Sequence, residues 1–216
     1  MGISGGPNVI RDSSLMLELD TVDRNSYPGS GTTWSDLSGN AYNATLINTP
    51  SYNSSYGGTL NFNGGSTYAS TTYAQPAYST GSSFTWNLWV IPDVSSGLAP
   101  IIGNRGGAEL IFTKLTFQAF QYYPAILTHG MTSGVWQNIC VVKNGTTLTY
   151  YQNGISVTST TSTVTKTSVP FYIGGDPVAG EYATCTVSNV QVYNRALSAT
   201  EIQQNYNALK SRYGLK

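Results

Sequence analysis

Three acidic side chains fall close together in Glu18-Leu19-Asp20-Thr21-Val22-Asp23, and paired carboxylates are the equipment of glycoside hydrolysis. A retaining mechanism needs its two carboxyl groups about 5 to 5.5 Å apart, with the acid's pKa raised by its surroundings. The third acid is the short Asp23, and the run stands at the start of the chain. Both facts favour the plainer reading, a strand with an acidic polar face. His129 is the single histidine, so any serine or cysteine nucleophile would depend on it as base. It lies in the loop-like Thr128-His129-Gly130, no Gly-x-Ser-x-Gly elbow accompanies it, and a solvated loop position is expected. Gly103, Gly106 and Gly107 lack the Lys-Ser/Thr ending and the strand-loop-helix setting of a phosphate loop, so turn geometry accounts for them. Cys140 and Cys185 have no CxxC metal spacing and are expected as buried free thiols, with one bridge between them left open.

Chemistry that makes or breaks bonds therefore has little support, and holding a ligand has more. Ten basic and ten acidic residues cancel, and only 9% of the 216 residues are charged, against roughly 25% in an average soluble protein. Nucleic acid and anionic membranes are excluded as main partners, because counterion release and polybasic attraction both need clustered Lys and Arg. No apolar run approaches the ~18 residues of a membrane span. The N-terminus lacks the basic-then-apolar pattern of a secretory signal. Ser, Thr, Asn and Gln supply most of the polar surface, which suits neutral hydroxylated ligands such as sugars.

Sugar binding commonly joins a flat apolar ring to amides and hydroxyls, and the chain has 16 Tyr and 4 Trp. Strand alternation puts Trp89 on the face opposite Phe84, Trp86 and Leu88, so it either anchors a second buried layer or belongs to a binding face, the former being commoner. Tyr122 and Tyr123, just before Pro124, and Tyr182, near Asp176, are expected close to loops. The carbohydrate-binding candidates are thus Trp89, Tyr122, Tyr123, Tyr182 and Asp176.

The elements that must position these residues are mostly strands. Leu15, Leu17 and Leu19 alternate with Met16, Glu18 and Asp20, the period of a half-buried strand. A long polar stretch from Thr21 to Tyr56 follows, packing Trp34 and Leu37 inward and holding a short strand near Ala44 to Ile47. Leu60 and Phe62 precede an Asn63-Gly64 turn, and a strand from Phe84 to Val90 ends at Pro92. Shorter strands are expected at 100–103, 109–112, 115–120 and 125–128. Asn144-Gly145 and Asn153-Gly154 divide a three-strand meander, because Asn-Gly suits type I′ turns. Two further strands lie around 170–173 and 183–193. Ser198-Ala199-Thr200-Glu201 is a capping box followed by Ile202, Tyr206 and Leu209 at helical spacing, with Gly214 as C-cap. Strand signals without βαβ alternation predict an all-β fold, a two-sheet antiparallel jelly-roll sandwich with one short C-terminal helix. Residues 1–13 read as an arm without periodicity and residues 14–216 as one domain.

The segments LELDTVDRNSYPGSGTTWSDLSGN, GGTLNFNG, FTWNLWV, GVWQNICVVKNGTTLTYYQNG, FYIGG and VSNVQVYNRALSATEIQQNYNALKSRYG resemble the laminin G-like group of concanavalin A-like jelly rolls. The resemblance covers roughly residues 14–214 and is most specific from Val187 to Gly214. The SYPGSGTTW-x-DLSGN opening is similar to domains in virion proteins of tailed phages, especially marine ones (cyanophage-type). The resemblance implies a non-enzymatic, lectin-like virion surface protein, in multiple copies or as a homo-oligomer, that attaches to host or environmental glycans. Its alternative is a capsid decoration or head-protrusion protein whose only partners are other virion subunits, with the arm of residues 1–13 as the anchor. Glucanases of the same superfamily carry a Glu-x-Asp-x-(x)-Glu strand motif, which Glu18 and Asp20 match and Asp23 does not, so hydrolysis is the least favoured role. Some of the wider fold class bind calcium through rim carboxylates. Here Phe62 to Tyr68 carries none, and calcium needs about six to eight oxygen ligands. Asp93 and Asp176 are the candidates for a weak calcium site, and no other metal or cofactor is expected.

Overall fold

A computed structural model describes residues 8–94, 97–114, 118–128 and 130–216. His129, residues 115–117 of the strand expected at 115–120, and residues 1–7 of the arm lie outside the described residues. The strands of the first half are β1 (Leu15–Asp20), β2 (Thr33–Trp34), β3 (Ala44–Ile47), β4 (Ser51–Asn53), β5 (Thr59–Asn63), β6 (Tyr68–Gln75), β7 (Ser83–Pro92) and β8 (Pro100–Asn104). Those of the second half are β9 (Leu110–Thr113), β10 (Phe120–Tyr122), β11 (Ala125–Leu127), β12 (Gln137–Asn144), β13 (Thr147–Gln152), β14 (Ile155–Thr161), β15 (Val169–Ile173), β16 (Gly175–Asp176), β17 (Glu181–Tyr182) and β18 (Thr184–Tyr193). The helix α1 (Ala199–Leu209) follows.

Two antiparallel sheets stack face to face. The first runs β14-β13-β12-β7-β18-β5-β4, and the second β11-β10-β9-β8-β15-β6-β3-β2. Phe84, Trp86, Leu88 and Val90 of β7 point between the sheets, as their alternation predicts. There the Trp86 ring meets Phe171 of the second sheet edge-on, at 5.0 Å between centres. One edge of β18 is shared end to end by β1, opposite residues 189–193, and β5, opposite residues 184–187. Where they meet, Thr21 Oγ1 donates to the Gly58 carbonyl at 2.6 Å and the Thr21 N–H donates to the Ser188 carbonyl at 2.9 Å. A Cβ on Gly58 would stand 2.4 Å from the Thr21 oxygen, so only glycine fits this junction.

The β12-β13-β14 meander forms as expected, with one change in its first turn. Asn153 and Gly154 both have positive φ, 52° and 78°, which is the type I′ pattern. At the other turn Asn144 is still paired, opposite Thr147, and the two loop residues are Gly145 and Thr146. Of that pair only Gly145 has positive φ (56°), which matches type II′. The eight-residue β6, between β15 and β3, is a strand the sequence reading did not mark.

The first sheet is covered on its outer side as well. The Ser198 side chain caps the Glu201 N–H and Glu201 reaches back to the Ser198 N–H, closing the predicted capping box. Gly214, at φ 73°, ends the helical segment. The helix brings Ile202 and Leu209 down onto the sheet, and the 3-10 turn that follows it, Lys210–Tyr213, adds Tyr213. Residues 8–12 lie beside it. The Ile10 N–H donates to Asn205 Oδ1 at 2.7 Å, Gln204 Nε2 donates to the Asn8 carbonyl at 2.8 Å, and Arg195 pairs with Asp12 at 2.7 Å. Asn8, Ile10 and Asp12 are thus tied to the fold by contacts that span almost the whole sequence.

Candidate functional site

The acidic run at the start of the chain lies under that cover. Glu18, Gln191 and Asn87 stand opposite one another on β1, β18 and β7. Gln191 Nε2 donates to Glu18 Oε1 at 3.3 Å, Asn87 Nδ2 to Gln191 Oε1 at 2.9 Å, and Asn138 Nδ2 to Asn87 Oδ1 at 2.9 Å. Glu18 is 1% exposed and both of its oxygens accept from Arg11, at 2.7 and 2.8 Å. Asp20 accepts on both oxygens from Arg212, at 3.0 and 2.8 Å. The two carboxylates line a polar cavity of about 200 Å³ together with both arginines. Asp23 lies past the end of β1, where its Oδ1 accepts from the Asn25 N–H at 2.9 Å. The geometry gives Glu18 and Asp20 a structural task, neutralising guanidinium groups that hold the N-terminal segment and the C-terminal helix to the sheet.

Trp89 belongs to the same covered face. Its ring is fully buried and stacks with Tyr213 at 4.2 Å and Tyr206 at 5.6 Å, so it anchors a second buried layer and offers no face to a ligand. Cys140 and Cys185 are buried and unpaired, and burial pushes both thiols upward, Cys185 to about 12.

Asp176 and Tyr182 are brought together on the β16-β17 hairpin, beside the outer face of the second sheet. Asp176 is fully buried. Its Oδ2 accepts from the N–H groups of Arg105 and Gly106 at 2.6 and 2.8 Å, and its Oδ1 from those of Val178 and Ala179 at 2.8 and 3.3 Å. Those bonds fasten the hairpin to the β8-β9 loop, and Arg105 adds an ion pair with Glu181. Asp176 thus fastens the hairpin, with both of its oxygens engaged by backbone N–H groups. Asp93 lines a different depression, of about 390 Å³, beside Ser133 and Thr184. Among the described residues no group of three or more His, Cys, Asp or Glu side chains converges. Tyr182 is half-buried, 6.0 Å from Tyr68, which in turn meets Tyr172 at 5.9 Å.

Tyr122 ends β10 and Tyr123 stands in the turn that follows, and the two differ in exposure. Tyr122 is fully buried; its hydroxyl donates to the Val164 carbonyl at 3.3 Å and burial pushes its pKa up to about 12. Tyr122 thus lies within the sandwich, while Tyr123 is 51% exposed. Next to them lies a groove of about 550 Å³ lined by Pro124, Ala125 and Ile126 on one side and Thr160, Thr161, Ser162, Thr163 and Val164 on the other. It opens where β11 and β14, end strands of the two sheets, come close without pairing. Among the described residues the hydroxyls of Thr160, Thr161 and Thr163 have no protein partner, whereas Ser162 Oγ accepts from the Val164 N–H at 3.3 Å. One side is apolar, and the other offers the free hydroxyls of Thr160, Thr161 and Thr163 beside the engaged Ser162 and the apolar Val164. The reading of the sequence reached the tyrosines at its edge and missed the hydroxyl wall, which nothing in a Thr-rich run distinguishes.

Two stacked antiparallel sheets with loops and edges left open for contact define a lectin-like jelly roll. Residues 63–203 match a laminin G family model of the concanavalin A-like lectin/glucanases superfamily, and the chain belongs to that family. No curated protein matches the sequence. Among solved structures, the binding domain of Paraclostridial Mosquitocidal Protein 1 is similar over 94% of this chain and 55% of that one, with 15% identity and a TM-score of 0.71. Trypanosoma rangeli sialidase in complex with sialic acid is similar over 97% and 36%, with 19% identity and a TM-score of 0.70. The receptor binding domain of Botulinum Neurotoxin Type G is similar over 90% and 51%, with 14% identity and a TM-score of 0.66. The chain thus spans about half of the two toxin domains and about a third of the sialidase, and at these identities the likeness is one of fold.

Proposed function

We propose that this chain is a non-enzymatic, lectin-like module that binds glycans in the groove between β11 and β14. The observation that carries the reading is the contrast of the two walls. A pyranose has an apolar face of C–H groups and an equatorial rim of hydroxyls, and it finds both partners there, with the exposed Tyr123 ring beside them. Two of the similar structures are binding domains, which supports attachment over catalysis. The covered positions of Glu18 and Asp20 support it too.

The setting we infer is the surface of a tailed-phage virion, with several copies per particle, and it rests on the resemblance carried by residues 26–40. In that stretch Asp36 accepts from the Glu18 N–H at 2.8 Å and the Tyr42 N–H at 3.0 Å, which ties the loop to β1. With residues 8–12 engaged by their own helix, anchoring to other virion subunits would fall to residues 1–7. The decoration role then differs from the lectin role only in its partner. A glycan array followed by titration separates them. Binding is expected, and Thr163→Trp, which fills the groove from its exposed rim, should weaken it at least about tenfold. No binding of any sugar at millimolar concentration would end the glycan reading.

A further inference from the structure

The residues lining the groove are uncharged, but two lysines stand beside and beneath it. Lys166 Nζ donates to the Tyr123 carbonyl at 2.6 Å, and that carbonyl belongs to the peptide leading into Pro124 on the apolar wall. The same nitrogen lies 5.3 Å from the centre of the Tyr122 ring, and Lys143 Nζ lies 5.7 Å from it. Lys143 is fully buried, and its ammonium donates to the carbonyls of Ser79 (3.2 Å), Thr80 (2.9 Å), Ser82 (3.1 Å) and Gly145.

Carbonyl dipoles satisfy an ammonium but do not cancel its charge. The ion pairs among the described residues all involve arginine, and neither lysine takes part in one. The acid that acts on Lys166 is Glu109, half-buried, whose backbone carbonyl accepts from the Tyr123 N–H at 3.1 Å. Among the described residues it forms no ion pair with Lys166. Burial lowers the pKa of both lysines, as expected for ammonium groups with too little compensating charge. Their roles differ in geometry. An ammonium has three donors; those of Lys143 are spent on carbonyls, whereas Lys166 is bonded to one carbonyl and is half-buried at the groove's edge.

We propose that the groove prefers anionic saccharides, with the Lys166 ammonium meeting a carboxylate or sulfate of the ligand and Lys143 adding to the field from beneath. The proposal rests on the groove being the glycan site and names the class of glycan it takes. It is tested with three disaccharides of one linkage, a neutral one, its uronate and its sulfate ester, titrated calorimetrically into the full chain and into Lys166→Met and Lys166→Arg. At low salt the uronate or the sulfate ester should bind at least about tenfold tighter than the neutral sugar. That advantage should vanish in Lys166→Met, persist in Lys166→Arg, and shrink when salt is raised. The relative affinity of the two anions tells which group the site was shaped for. Equal binding of all three, or a preference that survives in Lys166→Met with unchanged melting temperature, would overturn the charge proposal and leave the groove standing. Failure of all three to bind at millimolar concentration would overturn the groove along with it.

Discussion

Replacing Asp176 by alanine would strand the four backbone N–H groups that its carboxylate receives, those of Arg105, Gly106, Val178 and Ala179. A hydrogen bond to a charged group is worth about 1.5 to 3 kcal/mol. Val178 is 65% exposed, so water can take over the two bonds within its own turn, and the cost falls mainly on the pair that reaches across to the β8-β9 loop. Partial rehydration of that loop brings the expected loss to about 3 kcal/mol. For a chain of this size each kcal/mol moves the melting temperature by about 2 to 4 °C, so the variant should melt roughly 6 to 12 °C lower. Asp176→Asn keeps one acceptor oxygen and turns an NH₂ toward the other N–H pair, so it should show much of the same loss. Differential scanning calorimetry of both variants, with glycan binding measured alongside, checks the reasoning. A melting temperature within about 2 °C of the parent, accompanied by lost binding, would return Asp176 to the ligand-contact role that its buried position now argues against.

Trp89→Ala should cost about 3 to 5 kcal/mol, the usual range for emptying a buried aromatic site, and should expose the C-terminal helix to protease; resistance equal to the parent would contradict the stacking with Tyr206 and Tyr213. The purified chain is expected to release no reducing ends from β-glucans, and an activity that disappears in Glu18→Gln would reverse the structural assignment of that carboxylate. Hydrogen bonding to Ser14 and then Arg195 holds Asp12 at about 2, and hydrogen bonding to Arg195 holds Glu201 at about 2. Both folded values lie below the unfolded ones, 3.8 and 4.5, so their stabilisation is complete only above about pH 5 and is lost as pH falls through 2. Circular dichroism should therefore show the helix loosening across that window, and an identical acid profile in Arg195→Ala would refute the linkage.

How much was legible depended on whether the signal was local. The strand β7 could be read because Phe84, Trp86, Leu88 and Val90 alternate, and α1 because Ser198 and Glu201 stand at capping distance. The strand β6 could not. Of its inward residues Ala69, Thr71, Tyr73 and Gln75 only Tyr73 is a large core side chain, and the Thr71 hydroxyl donates to the distant carbonyl of Phe171 and to that of Tyr73. Alternation placed Trp89 on the second face of β7 but could not say that a helix more than a hundred residues later would cover it. The candidate site shows the same division. Tyr122, Tyr123 and Pro124 mark a sheet edge in the sequence, whereas their partners Thr160 to Thr163 belong to a hydroxyl-rich run that becomes a wall only because β14 comes to lie against β11.

The most direct measurement is chemical-shift mapping of the isotope-labelled chain during titration with the tightest-binding saccharide from the array. Shifts should concentrate at Tyr123–Ile126, at Thr160–Val164 and at Lys166, with the outer face around Tyr68, Tyr172 and Tyr182 unmoved. Shifts confined to that tyrosine face, or to the Glu18 cavity under the helix, would contradict the groove as the place where this protein holds its ligand.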